Sequence, residues 1–236
     1  MITRYVLTIV YIFLMSGLTA PTPALPVSPL QLLVCLGNPG SRYQDTRHNA
    51  GFLVAERLLA CHRHQPAPWQ PDNGQLFLVD IGPRQLLLLK PMTFMNSSGE
   101  AVSSVAQHVA VSPSNMLVVC DCLDLPLGRL RLRKTGSSGG QKGLASIIQE
   151  LASQNIPRLR VGIGRPQSTD TDIIDYVLAP WTSAEKTTVA QVVTAAANMV
   201  ALACQEGLDI AMNRCNAWSA DNINAIVQGE TDVDKV

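Results

Sequence analysis

A chain of 236 residues with 47% hydrophobic and 15% charged residues is long enough for one sizeable domain and too apolar for a disordered chain. Eighteen basic and eighteen acidic residues cancel, so global charge points to no polyanionic partner, and any such contact must come from a local cluster. The six cysteines form no CxxC pair and no zinc-type Cys/His spacing, which favours reduced, mostly buried thiols over disulfides or a metal site.

Residues 1–20 carry Arg4, an apolar run over 5–15 and then small residues, and a Pro-rich stretch follows to residue 29. The pattern has the form of a secretory signal and is too short to favour a spanning helix. Everything downstream has a cytoplasmic character, so residues 1–30 are taken as an extended start plus a Pro-rich lead-in. The run 32–36 has the length of a buried strand and stops at Gly37-Asn38-Pro39-Gly40, a strong turn signal. Apolar spacing predicts a helix over 50–60, a loop over 61–73, and a hairpin of 76–81 with 85–90 around Gly82-Pro83. A helix over 98–108, capped by Asn96 or Ser97, precedes a buried strand over 116–120. Residues 128–133 alternate Leu and Arg as a half-exposed strand does, and 135–140 form a Gly/Ser-rich loop. A helix over 144–151, a strand over 159–163 and a long Ala/Val-rich helix over 183–206 complete the core. The tail from 217 to 236 is polar. Strands alternate with helices without a compositional break, so the fold class is α/β: a single domain over 31–216 with a twisted mixed β-sheet flanked by helices.

Three groups of residues suit chemistry. His48 follows the first strand, and a neutral imidazole is the usual general base near neutral pH. Asp121, at the end of another predicted strand, is a carboxylate able to fix its tautomer. Asn38, Asn49 and Asn96 are amides that orient a water or a carbonyl without titrating. The second group is residues 90–99, where Phe94 and Met95 beside Asn96 suit a groove that binds a chain or stacks a base. The third is residues 129–143: Arg129, Arg131 and Arg133 share one strand face, with Lys134 and Lys142 around a Gly-rich loop, a combination able to hold phosphates.

The segments GNPGSRYQDTRHNAGF (37–52), KPMTFMNSSG (90–99), DCLDLPLG (121–128), GSSGG (136–140) and PRLRVGIGRP (157–166) occur in an order and spacing that resemble the bacterial-type peptidyl-tRNA hydrolases. The likeness spans about residues 31–216. It implies hydrolysis of the ester joining a peptide to the 3′-terminal ribose of tRNA, which recycles tRNA from stalled translation, with no metal or organic cofactor. By motif it implies His48 as base, Asp121 as its orienting carboxylate, and Asn38 as the residue that distinguishes peptidyl- from aminoacyl-tRNA. Tyr43, Phe94, Asn96 and Lys142 fall at substrate-contacting positions, and Arg133 and Arg160 where the family meets tRNA phosphates. It further implies peptidyl-tRNA as the partner, a cytoplasmic location, no stable membrane partner and a monomer. The chain departs from the family where it has Gln141-Lys142 for the usual His-Asn, and Cys122 for an acidic residue. Two other readings attach to single features: a non-catalytic RNA-binding relative, to Gln141-Lys142, and a secreted esterase, to the leader.

Overall fold

The structure, a computed structural model, describes residues 30–221. The predicted leader before residue 30 and the tail from residue 222 lie outside the described residues. One seven-stranded sheet has the order β2-β3-β4-β1-β5-β7-β6. The strands are β1 (Leu32–Cys35), β2 (His64–Pro66), β3 (Gly74–Ile81), β4 (Arg84–Pro91), β5 (Met116–Cys122), β6 (Leu130–Arg133) and β7 (Arg158–Gly162). The four central strands are mutually parallel, while β2, β3 and β6 join antiparallel at the two sides. The sheet is therefore mixed, as expected.

Parallel strands must be covered on both faces, which is why β1 and residues 116–120 of β5 read as unbroken apolar runs. On one face, Leu33 and Cys35 of β1 pack with helices α1 (Ala50–Cys61), α5 (Lys186–Glu206) and α6 (Leu208–Ala217). On the other, Leu32 and Val34 pack with α2 (Ser98–His108) and α3 (Lys142–Glu150). Helix α5 is long and apolar enough to cross a membrane, yet its Val/Ala face, including Val192, Ala196 and Val200, is buried in this core. A short helix α4 (Ile173–Leu178) lies between β7 and α5.

Several elements differ from expectation. The predicted loop 61–73 contains β2, whose three exposed residues pair with β3 and leave no apolar signal of their own. Strand β5 runs to Cys122, so Asp121 lies within it and is buried. Neither Asn96 nor Ser97 caps α2 through its side chain; the Gly99 N–H donates instead to Ser146 Oγ on α3 (2.9 Å). Packing continues past residue 217, where Ser219 bridges Arg129 and Ala220 is buried. At the β6 side of the sheet, Asn216 Oδ1 accepts the Leu132 N–H (2.8 Å) and Asn216 Nδ2 donates to the Leu132 carbonyl (3.2 Å). That side-chain pairing satisfies part of an edge that would otherwise be open to another strand.

Candidate active site

Because β4, β1, β5 and β7 are parallel, their C-terminal ends all reach one side of the sheet, where open α/β sheets bind ligands. A groove of about 700 Å³ lies there, a size suited to a ligand. A second groove of similar volume runs along α5 beside Trp218, and its lining holds one ionisable residue, Lys186, with no histidine or carboxylate.

The turn after β1 is fixed by close packing and amide pairing. A Cβ on Gly37 would come 2.5 Å from the Phe52 ring, and one on Gly51 would come 2.5 Å from the Leu36 carbonyl, so the strand exit and the start of α1 touch only because both are glycine. Asn49 uses its whole side chain on Asn38: its Oδ1 accepts the Asn38 N–H (2.8 Å) and its Nδ2 donates to the Asn38 carbonyl (3.0 Å). Asn49 is thus a buried brace and not a substrate-facing amide. Asn38 Oδ1 in turn accepts the Met95 N–H (2.8 Å), which ties the β1 exit to the β4 exit. With its oxygen taken, the NH2 end of Asn38 is the end left for a ligand.

His48 follows on the next turn. Its Nδ1 lies 3.0 Å from Asp121 Oδ2. With Nδ1–H donating to that carboxylate, Nε2 keeps its lone pair, and His48 lines the groove. The turn is anchored by its neighbour Arg47, which makes a two-pronged ion pair with Glu185 (3.0 and 2.8 Å), donates to the Pro180 carbonyl, and stacks over the Tyr176 and Trp181 rings. Burial of Glu185 opposes its ionisation, but hydrogen bonds from the Thr182 N–H and hydroxyl and from Arg47 outweigh this and hold its carboxyl below the ordinary range.

The Gly-rich loop is held from beneath by a buried arginine. Arg158, fully buried on β7, donates to the carbonyls of Ile156 (2.6 Å), Ser137 (2.9 Å) and Gln154 (3.4 Å). Burial pushes its guanidinium down from its ordinary value, but arginine retains its charge in proteins. Arg160 Nη2 also donates to the Ser137 carbonyl (3.3 Å). Gln141 ends the loop, caps α3 and donates to Asp121 Oδ1 (3.0 Å).

Of the nine site residues that the resemblance implies, the groove brings together eight: Asn38, Tyr43, His48, Phe94, Asn96, Asp121, Lys142 and Arg160. Phe94 is 56% exposed, an unusual cost for a large aromatic outside a binding surface. Arg133 is exposed on β6 and lies outside the groove. Sequence reasoning missed the contact of Gln141 with Asp121, the burial of Arg158, and the apolar lip of Ile173, Ile174 and Leu178 from α4. The amide just before an apolar-periodic helix was the available signal for Gln141; the Arg-Leu-Arg pattern of β7 hid Arg158. Five of the six thiols are buried, and burial drives those of Cys35 and Cys120 well above the ordinary range and Cys215 up to about 12, so none of these three is an activated nucleophile.

The family described as peptidyl-tRNA hydrolase matches residues 32–224. Among its relatives, the Aquifex aeolicus peptidyl-tRNA hydrolase is 43% identical over 187 residues, covering 79% of this chain and 96% of that protein. A Synechococcus peptidyl-tRNA hydrolase is 45% identical over 194 residues, covering 79% and 83%. The crystal structure of peptidyl-tRNA hydrolase from Acinetobacter baumannii superposes with a TM-score of 0.76 at 34% identity, covering 83% of this chain and 99% of that one. The chain belongs to the peptidyl-tRNA hydrolase family.

Proposed function

We propose that this chain hydrolyses the ester between a peptide and the 3′-terminal ribose of tRNA. Family membership supports the reaction, and the observation that carries the mechanism is the 3.0 Å contact of His48 Nδ1 with the buried carboxylate of Asp121 at the floor of the groove. His48 Nε2 takes a proton from a water as that water attacks the ester carbonyl, and Asp121 stabilises the imidazolium that forms. The same imidazolium returns the proton to the departing ribose oxygen. The exposed amide of Asn96 donates to the oxyanion of the tetrahedral intermediate. The chemistry uses a water, so it asks nothing of the cysteines.

Asn38 supplies selectivity. Its free NH2 end is a donor, which matches the carbonyl oxygen of a peptide bond and mismatches the ammonium of an unblocked aminoacyl group. Tyr43 and Phe94 offer apolar faces to the peptide and the terminal base, while Lys142, Arg160 and, further out on β6, Arg133 meet phosphates of the acceptor end. The acting unit is the 31–216 domain, with its packing carried on to Ala220. It works as a monomer in the cytoplasm, where peptidyl-tRNA arises.

Turnover of an N-blocked aminoacyl-tRNA beside its unblocked form tests the reading. The blocked ester is expected to be cleaved and the free one spared, with Asn38→Ala narrowing that preference about tenfold or more. No cleavage of the blocked ester by the unaltered chain would overturn it.

A further inference from the structure

The Asp121 carboxylate has two oxygens, and His48 accounts for only one of them. The other, Oδ1, receives a hydrogen bond from Gln141 Nε2 at 3.0 Å. Which end of that amide faces Asp121 is settled by its other contact: Gln141 Oε1 accepts the Leu144 N–H at 2.7 Å, and only the oxygen can accept. Both groups are shielded from water, with Asp121 4% and Gln141 9% exposed. Among the described residues, His48 and Gln141 hold the carboxylate, one at each oxygen.

We infer that Gln141 is a positioning residue for the reaction: one amide caps α3 through its oxygen and, through its nitrogen, fixes the plane of the Asp121 carboxylate against which His48 is oriented. This deepens the functional reading above and rests on it. A buried carboxylate with an unmet oxygen is costly and free to turn. Held at both oxygens, it presents Oδ2 to the imidazole in one direction. The donor is neutral, so it satisfies Oδ1 without bringing a second cation to compete with the imidazolium for the charge of Asp121. The first turn of α3 adds its N-terminal partial positive charge beside the same carboxylate. Met95 keeps the amide in place, with Sδ 3.2 Å from Nε2, and Gly143 leaves space for that sulfur, since a Cβ there would come 2.5 Å from it. The position at which this chain departs from its family thus has a defined role in the dyad.

One substitution separates the cap from the donor, and a second removes both without adding charge. Gln141→Glu keeps an oxygen for the Leu144 N–H but removes the donor and sets a charge against Asp121. Gln141→Met keeps the length and removes the donor without adding charge. Both are expected to lower kcat about tenfold or more on N-blocked aminoacyl-tRNA while KM stays within about twofold, with the larger loss for Gln141→Glu. Both are also expected to shift the His48 Nδ1–H proton resonance in the free protein. Where Gln141→Met is too unstable to assay, Gln141→Glu carries the same prediction. Unaltered kcat in either variant, a loss confined to KM, or an unmoved His48 resonance would overturn the inference. Because the resonance is read without substrate, it tests the positioning even if the unaltered chain proved inactive on the ester, an outcome that would sink the functional reading alone.

Discussion

The turn after β1 and the Gly-rich loop before α3 both line the groove, and they are held in different ways. The first is tied down by residues of its own segment: Asn49 grips the Asn38 backbone from both sides, and Arg47 locks the His48 turn to Glu185, Tyr176 and Trp181. The second is held mostly by side chains outside it, with a backbone bond of its own from the Gln141 N–H to the Ser138 carbonyl (3.3 Å). Its carbonyl at Ser137 hangs on Arg158 and Arg160 from the strand below, and its last residue, Gln141, reaches across to Asp121. A segment braced by its own side chains couples every residue to its neighbours and tolerates little change. A loop held through its backbone carbonyls leaves an exposed side chain such as Lys142 free to be replaced, whereas Gln141 is held through both ends of its amide.

Asp121 is where the two segments meet, so its loss should show most. Asp121→Asn is expected to lower kcat about a thousandfold, because it removes the carboxylate that selects the His48 tautomer, while KM changes little. Steady-state kinetics on N-blocked aminoacyl-tRNA reads this; an unchanged kcat would mean that the segments are not coupled through this residue. Arg158→Met should act on the loop alone. It strips donors from the Ser137, Gln154 and Ile156 carbonyls, so urea denaturation is expected to show a loss of about 2 kcal/mol, and KM should rise several-fold with kcat retained. A fall in kcat with an unmoved KM would show that the loop shapes the dyad rather than the substrate site.

The smallest effect belongs to the brace behind His48. Glu185 has its carboxyl held below the ordinary value of 4.5, so its contribution is present in full above that pH and is lost as the pH falls through the lowered value. Thermal melts of the wild-type chain should therefore weaken below about pH 4.5, and Glu185→Gln should show a shallower acid dependence with about 1 kcal/mol less stability at neutral pH. Parallel acid dependence in both proteins would remove Glu185 from the account.

The same contrast governs what could be read from sequence. The β1 run, the Gly37–Gly40 stop and the placement of His48 were legible because an apolar strand, its turn and the polar residues after it are contiguous. The hairpin and most helices were legible for the same reason, through their periodicity. Strand β2 was not, because it is an exposed edge defined only by pairing with β3. Arg158 was not, because its partners are carbonyls, which every residue has, and its neighbour Arg160 is of the same type with a different exposure. Gln141 drew attention as a departure, but its role depends on Asp121, twenty residues away on another element. Asn49 was identified as a polar amide near the base; whether it faces a substrate or braces a turn was decided by a contact eleven residues back.

The proposed hydrolysis depends on His48 as the base. The most direct measurement is the single-turnover rate of peptide release from an N-blocked aminoacyl-tRNA by His48→Ala beside the unaltered chain, at matched and saturating enzyme. A fall of about a thousandfold or more, with tRNA binding retained, is the predicted result. Release at the unaltered rate would contradict it, since no other group in the groove is paired with a carboxylate in a way that leaves a basic nitrogen free.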